Sequence, residues 1–211
     1  MVIKNVVFDL GGVIMDLNRE QAVLRFEELG VADAGELIDP YEQNGIFLEI
    51  ENGELTAEGF RHQLSKHAGR ELTLDEIQYA WMGFVVDVPA YKLDYLLELR
   101  KRFDVYILSN TNPFIMDRWA RTSKFTEAGR PLTEYCNKIY ASFEIGVTKP
   151  DPYIFEYMLK DSGMKPEETL FIDDGLRNIE VASALKIQTY HAKNKEDWRE
   201  AVDEQIMSYE L

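Results

Sequence analysis

Val6-Val7-Phe8-Asp9-Leu10-Gly11-Gly12-Val13 is the stretch whose reading decides the fold. An apolar, β-favouring run leads straight into a carboxylate, and two glycines follow. A short apolar run bounded by glycine reads as a buried strand. Asp9 then sits at its C-terminal tip, the edge of an open α/β sheet where ligands bind. Asp is costly to bury there without a partner. The glycines allow a sharp turn and a close approach to the backbone. Taken alone, the stretch reads equally well as an Asp that caps a turn, and the remaining strand ends decide between the two.

Outward from this strand the chain alternates. Glu20 to Leu29 carries Val23, Leu24, Phe26 and Leu29 at helical spacing, with Gly30 as a stop. From Asp33 to about Phe84 the patterns are short and helical. Thr56 caps a helix bearing Phe60 and Leu64 that ends near Gly69. Thr73 to Glu76 has capping-box spacing ahead of Ile77, Ala80 and Trp81. Pro89 opens a helix with Leu93, Leu96 and Leu97. A second strand, Val105 to Leu108, ends at Ser109-Asn110, and a helix is predicted from Phe114 to Arg121. Lys138 to Ala141 is a third strand. Gly146-Val147-Thr148-Lys149-Pro150 follows, and Asp151 and Pro152 cap and begin the next helix. Thr169 to Ile172 is a fourth strand ending at Asp173-Asp174-Gly175. A helix with Leu176, Ile179, Ala182 and Leu185, a fifth strand from Ile187 to Tyr190 and a helix bearing Trp198, Val202 and Ile206 complete the order.

Strand and helix in alternation predict an α/β fold, a doubly wound (Rossmann-like) parallel sheet. Right-handed crossovers gather all strand C-termini on one edge. That edge collects Asp9, Ser109, Asn110, Lys149, Asp173 and Asp174. The all-helical insert suggests a small cap over the same edge, giving an α/β core of residues 1–16 and 89–211 and a cap of 17–88. A helical layer belonging to the core itself is the other reading of the insert.

Composition narrows the function classes. The 211 residues are 45% hydrophobic and 12% aromatic, enough for a full core. A net charge of −15 makes nucleic acid or an anionic membrane surface a poor partner. A small anionic substrate is still compatible, because a metal, a lysine or a helix N-terminus can make a site locally positive. The one cysteine, Cys136, forms no internal disulfide, which suits a reducing compartment. Without a signal-peptide pattern at Met1–Asp9 or an apolar run of membrane-spanning length, a cytoplasmic protein is expected.

Three carboxylates converging on one edge would raise each other's pKa, and a bound divalent cation removes the conflict. Oxygen ligands without nearby His or Cys point to magnesium, which takes one or two carboxylates plus water and substrate phosphate. A lysine before a helix N-terminus and a hydroxyl beside an amide suit the remaining phosphate oxygens. The set fits phosphoryl transfer, with a strand-tip Asp able to act as nucleophile.

Four motifs together resemble the haloacid dehalogenase superfamily of aspartyl-phosphate hydrolases: Val7–Val13, Ile107-Leu108-Ser109-Asn110, Gly146–Pro150, and Phe171-Ile172-Asp173-Asp174-Gly175 with Asn178. The resemblance implies roles. Asp9 would be the nucleophile and a magnesium ligand, and Gly11 would offer its backbone carbonyl to the metal. Ser109, Asn110 and Lys149 would bind the phosphoryl group, Lys149 also serving catalysis. Asp174 would ligate the metal, with Asp173 a ligand or its support, and Asn178 would steady that loop. The activity implied is a magnesium-dependent phosphomonoester hydrolase acting on a small phosphorylated metabolite, a sugar phosphate favoured. Phosphatases of the superfamily usually carry a second Asp two residues after the nucleophile, as general acid and base; here that position is Gly11. The alternatives are therefore a metal-independent 2-haloacid dehalogenase or a phosphate- or partner-binding protein without catalysis. Against the dehalogenase stands the retained acidic pair Asp173-Asp174. Asp16 is a candidate to replace the absent acid, and Tyr41, Glu42 and Phe47 are candidates to line the substrate pocket.

Overall fold

The computed structural model describes residues 2–38 and 43–209. The strands are β1 (Asn5–Phe8), β2 (Asp16–Leu17), β3 (Val85–Asp87), β4 (Asp104–Ser109), β5 (Lys138–Ala141), β6 (Thr169–Asp173) and β7 (Gln188–His191). Five of them form a parallel sheet in the order β5-β4-β1-β6-β7. Central β1 is buried at all four residues, as a parallel strand covered on both faces must be.

Successive side chains of a strand point to opposite faces, and the packing follows that alternation. Val7, Leu108 and Phe171 pack on one face against Ile154, Phe155 and Met158 of the helix Pro152–Ser162. Val6, Phe8, Ile107 and Ile172 pack on the other against Leu93, Leu96, Trp198 and Val202. Phe8 is in register with Ile107 of β4 and Ile172 of β6. One residue further on, Asp9 stands between the ends of both neighbours. The register therefore gathers the first, second and fourth motifs.

The helices between β2 and β3 are α1 (Arg19–Glu28), α2 (Ala34–Leu37), α3 (Ile46–Glu51), α4 (Ala57–Ala68) and α5 (Leu74–Trp81). Their ends carry the caps the sequence predicts. Thr56 accepts from the Gly59 N–H at 3.1 Å, and Thr73 and Glu76 form a reciprocal capping box. Gly69 closes α4 in the left-handed conformation. Phe26, Phe47, Phe60 and Trp81 pack edge-on or tilted, with ring centroids 4.9–6.0 Å apart. Such pairs add about 0.5–1.5 kcal/mol each beyond the area they bury. Phe60 reaches Phe114, 5.8 Å away, so these rings join the core of the sheet.

The remaining helices are α6 (Ala90–Leu99), α7 (Pro113–Ile115), α8 (Ser142–Ile145), α9 (Pro152–Ser162), α10 (Leu176–Ala184) and α11 (Arg199–Ser208). Asp151 caps α9 by accepting from the Tyr153 N–H at 2.8 Å.

Two features differ from the sequence reading. The helix expected from Phe114 to Arg121 is a three-residue α-helical turn followed by a π-helix, Met116–Ala120. The Arg121 N–H bonds the Met116 carbonyl at 2.9 Å, a five-residue step that apolar spacing over so short a run does not reveal. β2 and β3 pair antiparallel at the two junctions of the helical segment, and strands of two and three residues carry no alternation to read. Among the described residues no helix is long and apolar enough to cross a membrane.

Candidate active site

Lys149 is the pivot of the site. Its side chain is buried, and Nζ lies 3.0 Å from Asp9 Oδ1 and 2.6 Å from Asp173 Oδ2. It also donates to the Leu108 carbonyl at 2.9 Å. Asn110 holds the lysine backbone from both sides: its Oδ1 accepts from the Lys149 N–H at 2.7 Å, and its Nδ2 donates to the Lys149 carbonyl at 2.8 Å. The side chain expected to bind phosphate is thus engaged in positioning Lys149. Ser109 is buried at the end of β4 and lines the same pocket.

Asp173 is fully buried. Besides Lys149, it accepts from the Gly175 N–H at 2.7 Å and from Asn178 Nδ2 at 2.9 Å, so Asn178 steadies this turn. Asp174 lies over Gly12, whose φ is +74° and where any Cβ would collide with the Asp174 carboxylate. This is the one position in the first motif where glycine is required twice over, by conformation and by space. Gly12→Ala should cost about 1–2 kcal/mol for the left-handed backbone and displace Asp174. Thermal melting and magnesium titration would check it; unchanged magnesium affinity would count against Asp174 as a ligand.

One oxygen from each of Asp9, Asp173 and Asp174 lies within 4.8 Å of the others. Burial pushes Asp9 up to about 8; Lys149 opposes the rise, while Asp173 and Asp174 add to it. Burial and then Asp173 push Asp174 up to about 6. Burial alone would lower the Lys149 ammonium, but Asp173 and Asp9 outweigh it and hold the group above its ordinary range. One lysine therefore does not neutralise three carboxylates, and a divalent cation fits what is left. With both Asp173 oxygens bonded, Asp9 and Asp174 are the carboxylates placed to ligate it, a donor set that suits magnesium.

Other expectations are corrected. Asp16 does not line the pocket. Its Oδ1 bonds Lys92 Nζ at 3.0 Å, the partner a fully buried lysine needs. Phe47 is wholly buried in the aromatic cluster. Tyr41 and Glu42 lie outside the described residues. The pocket, about 190 Å³, is lined by Gly11, Ser109 and Lys149 from the sheet edge, and by Glu51 and Trp81 from the helical segment. Thr111 and Asn112 also line it. Asn112 caps α7, accepting from the Phe114 and Ile115 N–H groups at 3.0 and 3.2 Å; the Asn-Pro pair at 112–113 was its sequence signal. Glu51 had no such signal.

A buried carboxylate–lysine–carboxylate row at the C-terminal edge of a parallel sheet, with an acidic pair on the neighbouring strand, defines the site of an α/β hydrolase. The chain belongs to the haloacid dehalogenase-like hydrolase family, whose model matches residues 3–186. It is 51% identical over 199 residues to a D-ribitol-5-phosphate phosphatase of Bacteroides thetaiotaomicron, covering 94% of this chain and 96% of that one. Among solved structures, a predicted HAD-like hydrolase from Porphyromonas gingivalis is 44% identical with a TM-score of 0.93, covering 98% of each chain. A wild-type HAD family enzyme from Bacteroides thetaiotaomicron, solved in complex with magnesium and inorganic phosphate, is 39% identical with a TM-score of 0.86. That match covers 94% of this chain and 98% of the other.

Proposed function

We propose that the chain is a magnesium-dependent phosphatase that hydrolyses the phosphate monoester of a small polyhydroxylated compound, an alditol or sugar phosphate, with Asp9 as nucleophile. The observation that carries this reading is Asp9 held at 3.0 Å from a buried lysine, with Asp174 seated against Gly12 beside it. The relative named as a D-ribitol-5-phosphate phosphatase supports the substrate class.

The residues divide the work. Asp9 attacks phosphorus and becomes the aspartyl phosphate, which water then cleaves. Lys149 favours the ionised form of Asp9 against the burial that would protonate it, and offers positive charge to the phosphoryl oxygens. Ser109 is placed to donate to the same oxygens. Magnesium, when bound by Asp9 and Asp174 with the Gly11 carbonyl, would supply the remaining charge neutralisation. Residues 17–88 act as a cap that closes the pocket over the sheet edge, bringing Glu51 and Trp81 to it.

The dehalogenase reading fits Gly11 but leaves Asp174 without a task. The test is a screen of phosphorylated metabolites, D-ribitol 5-phosphate among them, with magnesium and with excess chelator. Phosphate release only with magnesium is expected. Halide release from a 2-haloacid without metal would overturn the reading.

A further inference from the structure

Cleaving an alkyl phosphate leaves an alkoxide, and the pocket has to give it a proton. Lys149 is engaged by Asp9 and Asp173. Asp16 is bonded to Lys92. Beside Gly11, Leu17 fills the space a side chain would take: a Cβ there would stand 2.9 Å from Leu17 Cδ1.

What the helical segment brings to the pocket is Glu51, the last residue of α3. It is 7% exposed and lines the same cavity as Gly11, Ser109 and Lys149. Asn112 lines the same cavity. Trp81 and Thr111 also line the cavity, and Trp81 Nε1 and Thr111 Oγ1 are buried without a partner among the described residues.

Resting on the phosphatase reading above, we propose that Glu51 is the proton donor to the leaving oxygen. Asp9 forms a bond to phosphorus as the bond from phosphorus to the ester oxygen breaks. That oxygen takes the Glu51 carboxyl proton and departs as the alcohol. Glu51, now a carboxylate, takes a proton from the water that attacks the aspartyl phosphate, which yields inorganic phosphate and restores both carboxyl groups. Burial, reinforced by Asp9 and opposed by Lys149 and Asn112, pushes Glu51 up to about 8, so it holds its proton at neutral pH. Asp9, just past the end of β1, and Lys149 from the loop before α9 are the charged groups that act on it.

The test is Glu51→Gln, measured in the first turnover with magnesium on two esters. With D-ribitol 5-phosphate the rate should fall about 10²–10⁴-fold, the worth of a positioned proton donor. With p-nitrophenyl phosphate, whose leaving group departs without a proton, the burst should fall far less. In the unaltered protein, first-turnover rates on a series from nitrophenyl to alkyl phosphates should change only gently, and this holds even if the variant misfolds. Equal losses on both esters, no loss on either, or a steep fall along the series would overturn the proposal. If the unaltered protein shows no magnesium-dependent burst with any ester, the phosphatase reading fails, and the assignment of Glu51 with it.

Discussion

Asp9→Asn should remove turnover by about 10⁴–10⁶-fold, the range seen when a nucleophile is deleted, while the protein stays folded. The amide is nearly isosteric, and its oxygen can still accept from the Leu10 N–H and Lys149, which now lie 2.7 and 3.0 Å from Asp9 Oδ1. The substitution also removes one of three crowded negative charges. The sign on stability follows. The folded Asp9 pKa lies above its ordinary 3.8, at about 8. Its favourable contribution is therefore complete below about pH 4 and is lost as pH rises through about 8. Asn has no such loss. In chelator above neutral pH, the variant should melt no lower than the parent. Phosphate release and melting against pH would check both halves, and full turnover in the variant would defeat the assignment of Asp9.

Lys149→Met should have the largest effect on stability. The methionine fills the space but leaves Asp9 and Asp173 with no cation between them, one of them wholly buried. Stranding a buried charge in this way costs about 3–5 kcal/mol, a fall in melting temperature of roughly 6–20 °C for a chain of this size. Turnover should vanish too. Adding Asp173→Asn to Lys149→Met should destabilise by less than the sum of the single changes, because the charge left stranded by the first is removed by the second. A double-mutant cycle by thermal melting measures this directly, and strict additivity would mean the pair is not coupled.

The strand tips were legible because each motif joins a short apolar run to a polar residue and a turn former: Phe8 to Asp9 and Gly11, Leu108 to Ser109-Asn110, Ile172 to Asp173 and Gly175. A buried parallel strand has little else it can be. The caps at Thr56, Thr73 and Asp151 were legible for the same local reason. What stayed hidden was tertiary. Lys92, the partner of Asp16, lies 76 positions away. Glu51 ends a six-residue helix, Ile46–Glu51, too short for its apolar spacing to say which face meets the pocket. The resemblance implies Asn110 as a phosphate ligand, and its hold on the Lys149 backbone was not legible because it joins the tip of β4 to a loop 39 positions further on.

The turn that follows Asp9 is tied from far along the chain. Trp198 Nε1 donates to the Val13 carbonyl at 2.9 Å across 185 positions, and Asn194 brackets Leu17 with two hydrogen bonds. At about 5–20 residues per second of synthesis, the ribosome needs roughly ten to forty seconds to deliver these ties after the nucleophile has emerged. The turn after Asp9 is therefore held in two stages, first by Lys92, whose Nζ reaches the Val13 carbonyl at 2.8 Å and Asp16 at 3.0 Å, and only later by the segment around Trp198.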